Sequence, residues 1–329
     1  MTSENAAATD TLTMPPVGGG RRGRHRPSAP PGRPWAARPR LLGGLAVGVA
    51  AVAAGVALLV PSAAQLDRPP SGSTWHAATG SPSPTPSVPR GRTAVDVEFA
   101  GTLSWALLDG SGRIAGSQDL ATPVPAESMV KVWIVADYLR RTAENGTKPS
   151  ATRLSQASRA IRDGDTAAAR LLNATSGGGE QISRMIAICR LTDSRVDPTS
   201  WTRTRISARD AAQLGRCIAD GRAAGPSWTA WVRTEMTKVR GGTAKGGSPR
   251  GMRWGIVDGL PEQVTAQGVG FANGWSSSSG QLRVNCLAVA DSWSLAVLTR
   301  YAAQRGLTYG AEACAEVATQ LIPTAGTAM

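Results

Sequence analysis

Apolar residues fall along this chain in distinct regimes. Residues 1–40 show no apolar periodicity and are rich in Pro, Gly, Ala and Arg, a composition that cannot bury a core. Residues 41–60 then run without a single charge, the length needed to cross a bilayer. From 61 to 93 polar residues and proline return. The segment Ser81-Pro82-Ser83-Pro84-Thr85-Pro86-Ser87-Val88-Pro89 predicts an extended linker. From residue 94 the apolar periodicity is sustained to about 323, enough for one compact domain, 94–329, with a sizeable core.

Within that domain, alternation over 103–108 and 113–117, around Asp109-Gly110-Ser111-Gly112, predicts a hairpin. Helical periodicity covers 128–141, 151–173, 180–190, 207–221 and 226–239. Strand patterns return at 264–275, 282–289 and 295–299, and 307–321 reads as a closing helix. Strands at both ends and helices between them predict an α+β fold. The N- and C-terminal strands share one antiparallel sheet, helices pack on it, and the middle of the chain forms a helical subdomain.

Charge refines the topology. The formal net charge is +13, but the tail carries +5 of it (seven arginines against Glu4 and Asp10) and the linker +2. Arginines before the apolar run and few after it predict a single-pass anchor in the plasma membrane, N-terminus cytoplasmic and domain extracytoplasmic. The alternative is a secretory signal cleaved at Ser62-Ala63-Ala64, releasing the same domain outside the cell; leader and apolar core are long for that. The tail would meet anionic lipid headgroups. No basic stripe is interleaved with aromatics, so no nucleic acid is expected, and acidic cell-wall polymers are the expected polyanion.

The candidate chemistry centres on Glu127-Ser128-Met129-Val130-Lys131. A serine three residues before a lysine shares one side of a helical turn with it, setting a nucleophile beside a base. Pro123 and Pro125 put Ser128 in the first turn, where free N–H groups favour negative charge. The apolar run beyond Lys131 predicts a buried helix, and burial favours the neutral amine. The chain has only four lysines, Lys131, Lys148, Lys238 and Lys245, so one inside an apolar helix is unusual. The structural alternative is that Lys131 snorkels to an acidic partner and Ser128 only caps the helix.

Other chemistries are excluded by elimination. The two histidines, His25 and His76, lie in tail and linker, so the domain has no Ser-His-Asp triad and no histidine zinc site. No Cys-x-x-Cys occurs, and neither a metal nor a cofactor is expected. In Gly241-Gly242-Thr243-Ala244-Lys245-Gly246-Gly247, Lys245 lacks the Ser or Thr of a phosphate loop. Gly268-Val269-Gly270-Phe271-Ala272-Asn273-Gly274 misses the dinucleotide spacing. Cys189, Cys217, Cys286 and Cys314 all lie in the domain, where an oxidising compartment favours disulfides, with three pairings open.

The order of these parts resembles the serine β-lactamase and penicillin-binding protein superfamily, most nearly the class A β-lactamase fold, over about 94–323. The resemblance rests on Ser128-Met129-Val130-Lys131 opening a buried helix and on the 161–172 segment, which is similar to the family's second-motif helix. It rests also on the 206–214 segment after an Ω-like loop, and on Phe271-Ala272-Asn273-Gly274-Trp275 opening a late strand. It implies Ser128 as acyl-accepting nucleophile, Lys131 as its base, and the backbone N–H groups of Ser128 and Trp275 as oxyanion hole. The substrate would be a β-lactam or a peptidoglycan-peptide-like amide or ester. The implied fold also favours Cys189 with Cys217 and Cys286 with Cys314, since each pair joins neighbouring elements.

The motif letters depart from the pattern. Gly164-Asp165-Thr166 stands where the second motif has Ser-Asp-Asn, and Ala272-Asn273-Gly274 where the third has Lys-Thr/Ser-Gly, so the resemblance implies that Gly164, Thr166, Ala272, Asn273 and Gly274 line the substrate. No glutamate lies between Gln181 and Ser207 to drive deacylation, although Asp193 and Asp197 are carboxylates in that region. Arg283 is a candidate for the lost positive charge, and Asp163 or Asp165 for a group near the leaving atom; a solvent-facing arginine and helix-start carboxylates are the bland alternatives. Each departure would cost a few kcal/mol of transition-state stabilisation, which argues against an efficient β-lactamase. Two expectations follow: a serine hydrolase, or a pseudoenzyme that keeps the cleft and binds a wall ligand or protein partner without turnover.

Overall fold

In the computed structural model, which describes residues 95–243 and 250–322, the first alternating stretch forms β1 (Gly101–Asp109) and turns into β2 (Ile114–Gly116). The turn is held by Asp109, whose Oδ1 accepts the N–H groups of Ser111 and Arg113, both at 2.9 Å, as short acidic side chains do in tight turns. A two-residue strand, β3 (Val124–Pro125), leads to a 3-10 turn, Glu127–Val130, and into helix α1 (Lys131–Glu144). Helices α2 (Ala151–Arg162), α3 (Thr166–Thr175) and α4 (Glu180–Cys189) follow. A loop containing β4 (Arg205–Ile206), paired with β3, precedes α5 (Ala208–Ala219) and α6 (Thr229–Thr237). Short pieces come next: the paired β5 (Gly241–Gly242) and β6 (Arg250–Gly251), then α7 (Ile256–Gly259) and α8 (Glu262–Thr265). Strands β7 (Gly270–Ser278), β8 (Gln281–Val289) and β9 (Trp293–Ala302) and helix α9 (Gly306–Leu321) close the domain.

The main sheet runs β2-β1-β9-β8-β7, antiparallel throughout. β1 lies against β9 from Gly101↔Tyr301 to Asp109↔Trp293, so first and last strands share a sheet as the pattern predicted. Period-two alternation sends Ala106 and Leu108 to one face, into a core with α1, α3 and α5, and Trp105 and Leu107 to the other, into a core with α7 and α9. Both faces are covered, and β7 is left at the edge.

α1 is buried from Lys131 to Leu139, and the one acidic residue of that stretch, Asp137, is fully buried between Arg140 and Arg184, the latter at 2.6 Å. A buried charge is tolerated when paired in this way. Cys189 is bonded to Cys217, joining α4 to α5, and Cys286 to Cys314, joining β8 to α9, the pairing that the resemblance implied. Each closes a loop of sequence separation 28, an entropic contribution of roughly 3–4 kcal/mol.

Three local expectations are corrected. The single helix over 151–173 is two, broken at Gly164 with φ +68°, a backbone that glycine adopts freely. The strand over 264–275 begins at Gly270, because Pro261 starts the short helix α8 instead. Ser128 sits in a 3-10 turn rather than in α1 itself. Among the described residues no helix is long and apolar enough to cross a bilayer. The anchor at 41–60, the arginine tail, the linker and Lys245 lie outside them.

Candidate active site

The turn carrying Ser128 is fixed from both sides. Ala126 donates its N–H to Thr204 O at 2.8 Å, and Asn285 Nδ2 donates to Pro125 O at 2.8 Å. β7 presses on it from the sheet edge at Gly274, where a Cβ would lie 2.6 Å from both the Ser128 and Met129 nitrogens. Only glycine permits that approach. It brings the strand carrying Trp275 beside the first N–H groups of the turn, the arrangement an oxyanion hole requires. Ser128 itself is half-buried.

One turn on, Lys131 is 3% exposed. Its Nζ donates to the Gly164 carbonyl and, at 2.9 Å, to Thr166 Oγ1. Burial pushes the amine down to about 8, Arg170 adding to the depression and Asp165 opposing it. Lys131 therefore does not snorkel to an acidic partner. Among the described hydrogen bonds none joins Nζ to Ser128 Oγ. Gly164 and Thr166, expected to bind substrate, serve here as acceptors for Lys131.

Asp165, expected near the leaving group, caps α3: Oδ1 accepts from Ala168 N–H and Oδ2 from Arg159 Nε, both at 3.0 Å. Those hydrogen bonds, the capping one first, hold its carboxyl below the ordinary value against burial. Asp163 is likewise engaged, with Arg240 at 2.6 Å. Met252 then packs on Gly164: a Cβ there would lie 2.6 Å from Met252 Sδ. A serine at 164 would therefore need both a left-handed backbone and a displaced methionine.

The third-motif positions are closed as well. Ala272 is buried in the α1-side core. Asn273, expected to bind substrate, is completely buried, and its Nδ2 donates to Met252 O and Trp254 O, both at 2.7 Å, while Oδ1 has no partner. That side chain pins the 252–254 segment to the sheet. Trp275 is half-buried, and its ring joins the α9-side core.

In the Ω-like loop both candidate carboxylates are occupied. Asp193 accepts from Ser207 Oγ at 2.7 Å and from Arg209; burial opposes ionisation, but these bonds keep its carboxyl below the ordinary value. Asp197 accepts from the Thr199 side chain and backbone and from Ser200 N–H, which also hold it low. Both carboxylates are thus engaged within the loop.

A residue the pattern did not single out stands closest to the nucleophile. Glu127, immediately before Ser128, has φ +55°, a strained backbone for a non-glycine residue, and is 8% exposed. Its Oε1 accepts from Ser276 Oγ at 2.6 Å. Burial pushes its carboxyl up, with Ser276 and Arg283 pulling the other way. Arg283 stands across from Ser276 in the β7–β8 register. The only advance signal was a charge next to the nucleophile in an otherwise apolar run.

No protein-family model and no curated protein matches this sequence. Solved structures do match. A β-lactamase from Sphaerobacter thermophilus DSM 20745 is 15% identical, covering 67% of this chain and 90% of that one, with a TM-score of 0.52. A β-lactamase from Streptosporangium roseum is 16% identical, covering 68% and 92%, TM-score 0.52. L2, solved in complex with relebactam, is 17% identical, covering 67% and 90%, TM-score 0.53. At such identities the likeness is one of fold: the described domain has the serine β-lactamase fold, α+β as the order of its parts implied.

Proposed function

We propose that this chain is a membrane-anchored, extracytoplasmic serine hydrolase that forms an acyl-enzyme at Ser128, with Lys131 as base, on a β-lactam or a cell-wall-peptide-like amide or ester. The observation that carries the reading is the bonding of Lys131. A neutral amine has two N–H donors and one lone pair. Gly164 O and Thr166 Oγ1 accept the two donors, which leaves the lone pair for the Ser128 hydroxyl one turn away. With the amine lowered to about 8, roughly a tenth is neutral at pH 7.

Lys131 takes the Ser128 proton as Oγ attacks the carbonyl carbon. The Ser128 and Trp275 N–H groups receive the developing oxyanion. The C–N or C–O bond then breaks, the leaving atom is protonated from Lys131, and an ester at Ser128 remains. With Asp193 and Asp197 engaged in their loop, hydrolysis of that ester lacks a poised base, so the acyl-enzyme accumulates.

The test is intact-protein mass spectrometry of the full-length chain after exposure to a fluorescent penicillin or a fluorophosphonate. A covalent adduct lost in Ser128→Ala and in Lys131→Ala is the expected outcome. A wild type unmodified by both probes would favour the second reading, a pseudoenzyme that binds a wall ligand or protein partner. The packing of Met252 on Gly164 and the burial of Asn273 support that alternative. The anchor rests on the uncharged run at 41–60 and the arginines before it. Release of the protein from membranes by alkaline carbonate would count against it.

A further inference from the structure

One residue from the nucleophile a polar pocket of about 550 Å³ opens, a volume suited to a small-molecule substituent. Its position follows from β7. Gly274 touches Ser128 N, and its Cβ position lies 3.0 Å from Glu127 Cβ. Ser276, two residues further on the same face of the strand, bonds Glu127. From there the pocket runs past Arg283 to the Ω-like loop at Asp197, Arg203 and Arg205. At the loop end Arg203 lies 3.4 Å from Asp197, and Arg205, exposed to solvent, donates to Pro123 O.

Nearer the nucleophile, two charged groups of the wall keep binding capacity free. Glu127 Oε2 has no hydrogen-bond partner among the described residues, although the side chain is more than nine-tenths buried. Arg283, half-buried, makes neither a hydrogen bond nor an ion pair among them. The two line one cavity and yet do not meet. A buried carboxylate and a guanidinium held apart across a polar space are complementary to a ligand carrying both opposite charges. Either charge alone on a ligand would leave the other wall group uncompensated.

We propose that this pocket binds a zwitterionic substituent of the acyl donor, an α-amino-acid head whose ammonium meets Glu127 and whose carboxylate meets Arg283. The inference deepens the acyl-enzyme reading and rests on it for the donor, but not for the pocket. The head belongs to the acyl part, because the pocket adjoins the turn that holds the attacked carbonyl, whereas Gly164 and Met252 occupy the Lys131 side.

The experiment uses the full-length chain and four penicillins sharing one nucleus, with α-aminoadipyl (zwitterion), adipyl (carboxylate only), 6-aminohexanoyl (ammonium only) and hexanoyl (neither) side chains. Binding is read by calorimetry on Ser128→Ala, and adduct formation by mass on protein with Ser128 intact. The expected result is that the α-aminoadipyl compound binds about tenfold or more tightly than the other three. That preference collapses in Glu127→Gln and in Arg283→Gln, with unchanged far-ultraviolet dichroism reporting that both variants fold. Equal binding of the four compounds, or a preference that survives both substitutions, overturns the pocket. Preferred binding without any Ser128 adduct sustains the pocket and removes the acylation reading. Adducts formed without side-chain preference do the reverse.

Discussion

The two sides of Ser128 are built on opposite principles. On the Lys131 side the amine is packed away from water: Gly164 and Thr166 accept its hydrogen bonds, Met252 packs on Gly164, and the nearby charges of Asp165 and Arg170 act on it in opposite directions. On the Glu127 side one carboxylate oxygen and the Arg283 guanidinium line a cavity without a direct hydrogen-bond partner among the described residues. The first arrangement tunes a base by desolvation, which requires the exclusion of water. The second suits recognition, because an uncompensated charge is a cost that a ligand can offset. One turn of chain thus separates a group prepared for proton transfer from groups prepared for binding.

The largest effect that would break this comparison comes from Lys131. Lys131→Met keeps the length of the side chain and removes the base, and the rate of adduct formation should fall by about 10³-fold or more. The α-aminoadipyl preference in binding should persist. Loss of both together would mean that the two sides are not separable.

The next test is pH. Lys131 titrates at about 8 in the folded chain against its ordinary 10.5. Between those values the unfolded state binds more protons, so stability rises with pH across that window, by roughly 3 kcal/mol in total, and is flat with respect to this group below it. Referenced to Lys131→Met, the denaturation midpoint of the wild type should climb from pH 8 to 10.5, and acylation should rise through about pH 8. A reference-corrected midpoint indifferent to pH would mean that the amine is not desolvated.

Gly274→Ala probes the seam between the two sides. The added methyl would lie 2.6 Å from the Ser128 and Met129 nitrogens, which are backbone and cannot yield without moving the turn. Acylation should drop by about 10²-fold, the cost of losing one oxyanion donor, while the remote disulfide-linked elements stay folded. A near-normal rate in Gly274→Ala would show that β7 does not form the oxyanion hole.

The sequence makes these two sides unequally legible. The Ser128–Lys131 spacing and the apolar run after it are local, so the base side is readable from pattern alone. The sheet is equally readable, because β1, β8 and β9 alternate or bury continuously. The break at Gly164 is hidden because α2 and α3 carry similar apolar stripes, Ala157, Ala160 and Ile161 in one and Ala168, Ala169 and Leu172 in the other; the apolar pattern therefore runs across the break. The roles of Asn273 and Met252 depend on segments about twenty residues apart touching, and Glu127 on a left-handed backbone that sends its side chain under β7. Pattern carries periodicity but not side-chain direction at a strained turn.

The smallest effect is the sharpest discriminator of the recognition side. Burial raises the Glu127 carboxyl above its ordinary 4.5. From that value up to the raised one the folded state holds more protons, so stability falls as pH rises through the window, and the penalty is fully present above it. Glu127→Gln keeps an acceptor for Ser276 and removes the charge. Above that window it should therefore stabilise the free protein while weakening the zwitterionic ligand, the opposition expected where a strained site serves function. A substitution that instead destabilises the free protein would mean that the pull of Arg283 on Glu127 outweighs the cost of burial in solution. The unpaired charges would then form a closed ion pair, and the contrast between the two sides of Ser128 would disappear.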